Sequence, residues 1–388
     1  MTDLPAPSQQ ALELSAELAV IIRREIDSAG GSIPFSRYME LCLYTPGLGY
    51  YSAGQQKFGS GGDFVTAPEI STLFGRCLAN ACSVALASLQ GGDILEFGAG
   101  SGQLAIDVLG ELERLACLPE RYLILERSAE LRQRQRQAIQ NQLPQLLDRV
   151  VWIDALPTAS FRGVMLANEV LDAMAVERFQ WDGKAANLFH VSCDGDGFHW
   201  HLQQHRDAVT AAVESFVSTS QLQPGYISEV NIMLPAWLQS VAAVLEQGMM
   251  LLIDYGYPRH EYYHPQRSSG TLMCHYRQRA HNDPFLWPGL QDITAHVDFT
   301  AVAEAALAAD LEVTGYTTQT CLLLDCGLDA LLQQAGPTDS SRYIELAQQA
   351  KTLILPGEMG ERFKCIGLTR GMTTAIPGFR MQDYRNRL

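Results

Sequence analysis

The fold is decided by the stretch Asp93-Ile94-Leu95-Glu96-Phe97-Gly98-Ala99-Gly100-Ser101-Gly102. Its apolar residues predict a short buried strand, which ends on an acid and turns through three glycines into the amphipathic run from Gln103 to Leu112. Glycines let the backbone approach a ligand closely, and a helix start offers free N–H groups. A strand, a glycine-rich turn and a helix start together predict a nucleotide-sized binding site.

The spacing of the glycines indicates which nucleotide. A dinucleotide site has the pattern G-x-G-x-x-G, which would put glycine at position 103, where this chain has Gln103. The pattern here is E-x-G-x-G-x-G, and a carboxylate at Glu96 would bind an ammonium group but repel a pyrophosphate. S-adenosylmethionine (SAM) carries an amino-acid moiety and no phosphate, so the pattern favours SAM, bound by Glu96, Gly98, Gly100 and Gly102. A dinucleotide site and an ordinary glycine-rich turn are the alternatives.

Strands and helices alternate from Asp93 onwards. The predicted strands are Ile94–Phe97, Tyr122–Leu125, Val150–Ile153, Gly163–Ala167 and Met249–Ile253, with helices ending near Arg114 and spanning Ala129–Gln142. This β-α-β-α order predicts a parallel sheet with helices on both faces.

Outside this alternation of strands and helices, the sequence pattern divides the chain into further segments. We predict an N-terminal cap (1–75) and a core (76–388), which contains an antiparallel insertion (177–234) and an irregular substrate-side loop (256–298). The cap has a helix at Leu12–Ile26, then turn and loop signals from Ile33 to Glu69. After the irregular loop we expect a helix, a strand, two helices and a terminal strand at Phe363–Thr369.

Acidic residues follow the predicted parallel strands, where an open α/β sheet binds its ligands. Helix capping would explain any one of them, but together they fit a cationic, hydroxyl-rich ligand better. We expect Glu126 to bind the ribose hydroxyls and Asp154 the adenine amino group. Asn168 and Glu169 should lie beside the methyl group. A guanidinium acceptor would need carboxylates, for which Glu169, Asp172 and Glu229 are the candidates.

The composition limits the class of partner. With 28 basic and 43 acidic residues the net charge is −15, which disfavours a nucleic-acid partner and favours a small molecule or a cationic protein. No apolar run approaches ~20 residues and no signal sequence is evident, so we expect no membrane insertion and a cytoplasmic location. Nine scattered cysteines are typical of reduced thiols. The four residues His190, Cys193, His199 and His201 match no zinc spacing, so we predict no metal.

Several further motifs, spread over nearly the whole chain, resemble those of the MidA-like SAM-dependent methyltransferases. They are Gly49-Tyr50-Tyr51, Gly62 to Ser71, Glu96 to Gly102, Asn168 to Ala173, Asp254-Tyr255-Gly256, Gly270-Thr271-Leu272, Asp292 to Phe299 and Met359 to Phe363. One position departs from the family pattern, since Ala175 stands where proline is expected.

This resemblance implies a class I methyltransferase fold, Rossmann-like with a seven-stranded sheet, and SAM as cofactor. The 62–71 loop would close over SAM through Asp63, Thr66, Pro68 and Glu69, and Asn168-Glu169 would face the acceptor, with Asn168 also touching the cofactor. Mitochondrial members serve complex I assembly and look like protein-arginine N-methyltransferases. Without a mitochondrial leader, this chain looks like a bacterial cytosolic member.

The function predicted from the sequence is SAM-dependent methylation of an arginine on a partner protein, such as a subunit of a respiratory complex. A small-molecule N- or O-methyltransferase and a SAM-binding assembly factor without turnover are the alternatives. Monomer and homodimer both stay open.

Overall fold

The computed structural model describes residues 4–52, 65–203, 205–217 and 222–388. Within these ranges the strands are β1 Ile33–Pro34, β2 Asp93–Phe97, β3 Tyr122–Leu125, β4 Val150–Ile153, β5 Phe161–Asn168, β6 Glu177–Trp181, β7 Ala186–Asp194, β8 Gly197–Gln203, β9 Tyr226–Val230, β10 Leu245–Tyr257, β11 Met273–Tyr276, β12 Arg279–His281, β13 Asp292–Thr294, β14 Val297–Asp298, β15 Glu312–Thr318 and β16 Phe363–Arg370.

The helices of the same ranges are α1 Gln9–Ser28, α2 Phe35–Tyr44, α3 Ala67–Ile70, α4 Thr72–Leu89, α5 Gln103–Arg114, α6 Ala129–Gln142, α7 Ala208–Val217, α8 Leu234–Val244, α9 Arg259–Tyr262, α10 Phe299–Ala308, α11 Gln319–Asp325, α12 Leu328–Gln333 and α13 Ser341–Ile354. Short 3-10 helices span Pro144–Arg149, Pro265–Arg267 and Arg385–Arg387.

The chain folds into two compact units, each assembled from separated segments. The first unit takes Met1–Phe64, Asp172–Leu234 and Tyr257–Ala301, and the second takes Val65–Leu171, Pro235–Gly256 and Val302–Leu388. The second unit therefore holds the glycine-rich turn and the strands around it.

The main sheet of the second unit has, among the described residues, seven strands along its path, in the order β15-β16-β10-β5-β2-β3-β4. The strands β10, β5, β2, β3 and β4 are mutually parallel, and β16 runs antiparallel to both β10 and β15. The mostly parallel, seven-stranded sheet expected from the sequence is confirmed.

The central position of β2 explains its composition. Helices cover both faces of a parallel sheet, so its strands bury all their side chains, and every residue of β2 is buried. Side chains of β2, α4, α5 and β5 share one hydrophobic core, which includes Phe74, Ile94, Leu109 and Val164. Ser128 caps α6 by accepting a hydrogen bond from the Leu131 N–H over 3.3 Å. The turn after β2 is thus held between well-packed elements.

The first unit is built around antiparallel strands. The strands β1, β7, β6 and β9 pair in that order, with β8 paired to β7. The antiparallel pairing predicted between residues 177 and 230 is therefore present. One core, including Ile22, Phe35, Tyr38 and Val191, packs α1 and α2 onto this sheet.

Several helices lie where the sequence did not predict them, among them α2, α7 and α8. The residues of α2 fall in the region predicted as loop, although Phe35, Tyr38, Met39 and Cys42 are buried at helical spacing. The flanking glycines and prolines obscured that periodicity. The helix α7 interrupts the predicted antiparallel insertion, and its β-branched Val213 and Val217 face the core.

The long segment predicted as irregular contains a three-stranded antiparallel sheet, β12-β11-β13. Arg277 and Gln278, which join β11 to β12, both have positive φ, as a type I′ hairpin turn requires. Such turns normally carry glycine or asparagine, so Arg277-Gln278 could not be recognised as a turn from the sequence. Between β15 and β16 the structure has three helices where we predicted two, because Gly327, at φ 89°, separates α11 from α12.

Among the described residues, α4 is long and apolar enough to span a membrane, with a mean hydropathy of 1.3 over 18 residues. Of this helix, 61% is buried inside the protein. Core helices have the same composition, so the apolarity of α4 is accounted for by its packing in the second unit.

Candidate functional site

The carboxyl ends of five parallel strands form one edge of the main sheet. The register pairs Phe97 with both Ala167 and Leu125, Leu125 with Ile153, and Asn168 with Ile253. The residues that follow these strands are therefore neighbours along the edge; in sheet order they are Asp254, Glu169, Gly98, Glu126 and Asp154. The structure brings together the strand-end residues that the sequence singled out.

The glycine-rich turn lies at the centre of this edge. Gly98, Gly100 and Gly102 have φ values of 62°, 54° and 88°, in the left-handed region that glycine adopts without strain. Gly102 is the N-cap of α5 and offers no capping side chain. The turn therefore presents backbone at the start of α5, where N–H groups and the helix dipole favour polar ligand atoms.

Glu96 lies beneath this turn, on β2. It is 2% exposed, and Tyr122 Oη donates a hydrogen bond to Glu96 Oε2 over 2.7 Å. Burial raises the pKa of Glu96 to about 7, and the Tyr122 hydrogen bond opposes this shift. Because a nearby ammonium group would stabilise the carboxylate, Glu96 is placed to respond to one, but its contact with the cofactor stays a prediction.

Glu126 follows β3, and both oxygens of its carboxylate accept hydrogen bonds. Ser128 N donates to Oε1 over 2.9 Å, and Gln135 Nε2 donates to Oε2 over 3.3 Å. Burial raises the pKa of Glu126, and these two donors oppose the shift. Asp154, which follows β4, is exposed. A held carboxylate at this position suits the two hydroxyls of a ribose.

Sequence reasoning missed Gln135 at this site. The sequence did contain an indication of its burial. Gln135 lies four residues before Ile139, on the same face of α6, and these two are the buried residues of this otherwise polar helix. A fully buried glutamine on the core-facing side of a helix needs polar partners, and such partners often lie at a ligand site.

Asn168 and Glu169 follow β5. The Asn168 Nδ2 donates to Glu169 Oε1 over 3.1 Å, and the Glu169 N–H donates to the Ile253 carbonyl over 2.9 Å. Glu169 has φ 53°, in the left-handed region that costs non-glycine residues roughly 1–3 kcal/mol. Asn168 Oδ1 is buried and has no hydrogen-bond partner among the residues described. The pair therefore combines backbone strain, a carboxylate and a buried acceptor.

Asp254, on the neighbouring strand, fixes the backbone around this pair. Its Oδ2 accepts from the Leu171 N–H over 2.9 Å, and its Oδ1 accepts from the Tyr255 N–H over 2.9 Å. The side chain is 1% exposed. Asp254 thus anchors the turn that follows Glu169.

The segment before α4 reaches the glycine-rich turn through Glu69, whose carboxylate accepts a hydrogen bond from the Ser101 hydroxyl. Thr66 is the N-cap of α3 and Pro68 is buried in the first turn of that helix. Asp63, also predicted to bind the cofactor, lies outside the described residues.

Asp172 and Glu229 belong to the first unit. Asp172 is 5% exposed, and its carbonyl accepts from the Ala295 N–H over 3.1 Å. Glu229 is fully buried; its Oε2 accepts from the Thr271 N–H over 2.7 Å and its Oε1 lies 3.6 Å from Arg178 Nε. Burial raises the pKa of Glu229, and the Arg178 charge opposes this. These contacts hold Glu229 within the first unit, and its role at the acceptor stays a prediction.

The fold and site define a nucleotide-binding α/β protein with a mostly parallel sheet, whose glycine-rich turn and ribose-suited Glu126 carboxylate fit the adenosine and amino-acid parts of SAM. A model of the family described as "Putative S-adenosyl-L-methionine-dependent methyltransferase" matches residues 77–317. The chain belongs to this family, and the MidA-like resemblance is confirmed: the protein is a SAM-dependent methyltransferase.

Individual relatives agree with this assignment. A protein from Burkholderia thailandensis, crystallised with S-adenosyl-homocysteine, is 44% identical, with a TM-score of 0.95 and 100% of each chain covered. The mitochondrial protein arginine methyltransferase NDUFAF7 of Danio rerio is 27% identical over 87% of this chain and 83% of its own length. The corresponding homologue of Drosophila melanogaster is 26% identical, covering 96% of this chain and 89% of its own.

Proposed function

We propose that this enzyme methylates an arginine side chain of a partner protein. The observation that carries the proposal is the pair at the end of β5, where the Glu169 carboxylate lies beside the buried acceptor Asn168 Oδ1. A guanidinium group has five N–H donors and no acceptor, and it stays charged near neutral pH. The carboxylate and the amide oxygen are two acceptors on consecutive residues, and both suit those donors.

When bound, SAM supplies a methyl group activated on its sulfonium. Glu169 and Asn168 Oδ1 would hold the guanidinium by its N–H groups, with one nitrogen facing the methyl carbon at about 3–3.5 Å. In the transfer that SAM would support, an N–C bond would form as the S–C bond breaks, and the methylated guanidinium would shed one proton. Glu169 is placed to accept it or to pass it to water, and its charge offsets the positive charge of the reacting pair.

Two further observations support this choice of substrate. The relatives from Danio rerio and Drosophila melanogaster are named protein arginine methyltransferases. The net charge of −15 favours encounter with a cationic partner. From the MidA-like resemblance, we propose a subunit of a respiratory complex as the first partner to test. The enzyme would be cytoplasmic and act on that subunit before assembly.

The contacts of the predicted acids support a different role for each. Glu169 carries the charge at the acceptor in this proposal, with Asn168 beside it. Glu229 is assigned to stabilising the first unit through Thr271 and Arg178. Asp172, in the first unit, stays a predicted second acid for the acceptor.

The proposal is tested by incubating purified enzyme with methyl-labelled SAM and a lysate of cells that lack it, since acceptors there are unmethylated. Mass spectrometry should find methylarginine in a protein, absent when Glu169→Gln enzyme is used. Label in a metabolite alone would establish a small-molecule methyltransferase instead. No label, together with rescue of the deletion phenotype by Glu169→Gln, would establish an assembly factor without turnover.

A further inference from the structure

We infer that Gln135 is a positioning residue of the cofactor site, which aligns the Glu126 carboxylate with the glycine-rich turn. The inference rests on the assignment of Glu126 to the ribose. It does not depend on the identity of the methyl acceptor.

The setting of Gln135 is unusual for a glutamine. Its side chain is 0% exposed, on a helix in which most other residues are charged or polar and face solvent. An apolar residue at this core-facing position would be buried without needing any hydrogen bond. A glutamine there is stable only if its amide is satisfied.

The amide of Gln135 joins three segments of the site. Its Nε2 donates to the Gly100 carbonyl over 3.0 Å and to Glu126 Oε2 over 3.3 Å. Its Oε1 accepts from Trp152 Nε1, on β4, over 2.9 Å. The indole N–H can only donate, so the amide orientation is fixed: oxygen towards Trp152, nitrogen towards the turn and the carboxylate.

Gln135 also packs directly behind the turn. A Cβ added at Gly102 would lie 3.4 Å from the Cα, Cβ and Cγ atoms of Gln135. The same residue therefore supports the turn by packing and by a hydrogen bond. The packing atoms are Cα, Cβ and Cγ, so a methionine at position 135 would keep the packing behind the turn and lose the donor to Glu126.

The two oxygens of Glu126 are held from different sides, Oε1 by the Ser128 N–H and Oε2 by Gln135. Removing the Gln135 donor would release one oxygen and leave a partly buried carboxylate less stabilised. The pKa of Glu126, already raised by burial, would then rise further. Binding that needs the ionised carboxylate would weaken first at low pH.

The test is calorimetry with two probes, S-adenosyl-homocysteine and its 2′,3′-dideoxyribose analogue. In Gln135→Met the affinity for S-adenosyl-homocysteine should fall about tenfold, as expected for a lost hydrogen bond to a charged group. The affinity for the dideoxy analogue should change less than about twofold, because that probe cannot bond Glu126. The pH at which binding of the first probe declines should move upward.

Controls separate positioning from general destabilisation. Gln137→Met alters an exposed glutamine of the same helix, whose side chain donates to Asn141, and should leave both affinities unchanged. Adding Gln135→Met to Glu126→Gln should cause little further loss. If Gln135→Met does not fold, Trp152→Phe removes the donor to Gln135 Oε1 and should give the same selective loss, but smaller.

Equal losses with both probes, or additive losses in the double variant, would overturn the positioning role. If Glu126→Gln binds S-adenosyl-homocysteine as the wild type does, the ribose assignment fails and the inference fails with it. Both results concern cofactor binding, so they are distinct from failure of the arginine-methylation proposal.

Discussion

Asn168 Nδ2 donates a hydrogen bond to Glu169 Oε1 over 3.1 Å, between consecutive residues at the end of β5. The bond turns the amide so that Oδ1 remains as a buried acceptor. The backbone of Glu169 is at φ 53°, a strained conformation held by the hydrogen bond from its N–H to the Ile253 carbonyl. Strain of this kind is typical of functional positions, and it fixes the direction of the Glu169 side chain.

Glu169→Gln should lower kcat by about 10²–10³-fold, the usual effect of removing one electrostatic contact to a transition state. The affinity for SAM should stay within about threefold, because the cofactor contacts assigned to Glu126 and the glycines remain. Calorimetry and a methyl-transfer assay measure the two effects. Glu246→Gln, at an exposed position of β10, is the matched control. A Glu169→Gln enzyme with wild-type kcat would remove Glu169 from the mechanism.

Glu169→Gly should be more stable than Glu169→Ala by about 1 kcal/mol, although both lose the carboxylate. Alanine keeps the strain of the positive φ, whereas glycine adopts this conformation freely. Urea denaturation of the two variants gives the comparison. An alanine variant as stable as the glycine variant would show that the backbone at 169 carries no strain.

Glu96 should link SAM binding to proton release. Its pKa is raised to about 7, so near pH 7 it is roughly half protonated, and an ammonium group beside it would favour the carboxylate. Calorimetry in two buffers of different ionisation enthalpy should show a fraction of a proton released in wild type, and less in Glu96→Gln. Identical release in both would mean that Glu96 does not sense the cofactor.

The same group predicts a pH dependence of stability. A carboxyl with a pKa of 4.5 in the unfolded chain and about 7 when folded binds more protons in the folded state. Its contribution to the free energy of unfolding is therefore full below pH 4.5 and is lost as the pH rises towards 7 and above. Ligand-free Glu96→Gln lacks this titration. The difference in free energy of unfolding between variant and wild type should therefore shift in favour of the variant as the pH rises from 5 to 8. A difference in the free energy of unfolding that stays constant from pH 5 to pH 8 would contradict this prediction.

Two glycines next to and within α5 should respond oppositely to alanine. Gly102→Ala forces a side chain into φ 88° and within 3.4 Å of Gln135, so stability should fall by about 1–2 kcal/mol and SAM affinity should fall with it. Gly110→Ala adds a methyl group at ordinary contact with Leu143 and should stabilise the helix by roughly 0.5–1 kcal/mol. Thermal denaturation measures both. A neutral Gly102→Ala would show that the turn tolerates side chains.

Glu229→Gln should destabilise the protein by about 3 kcal/mol without lowering kcat of the folded enzyme, because the Arg178 guanidinium loses its partner in a buried setting. Arg178→Gln combined with Glu229→Gln should cost less than the sum of the single changes. Denaturation curves measure the stability of each variant, and a methyl-transfer assay corrected for the folded fraction measures its kcat. A large loss of kcat at unchanged stability would restore Glu229 to a catalytic role.

The sequence predicted the core of the methyltransferase unit closely. The bounds of β3, α6 and β4 are those expected from apolar runs and helical periodicity, and the glycine-rich turn lies where its spacing put it. These features depend on residues near one another in the chain. The helix α2 and the hairpin at Arg277-Gln278 were missed, because tertiary packing formed a helix amid turn residues and placed ordinary side chains at positive φ.

By itself the sequence determined the type of sheet, the cofactor and the acids at the strand ends, because alternating periodicity and glycine spacing are local properties. Only the tertiary structure decided that three separated segments form one unit, that Glu229 is buried against Arg178, and that Gln135 joins Gly100, Glu126 and Trp152. Each of these depends on which distant residues come into contact. The hydrogen-bond partners of a buried polar side chain depend on how distant segments pack together, so they cannot be predicted from a local sequence pattern.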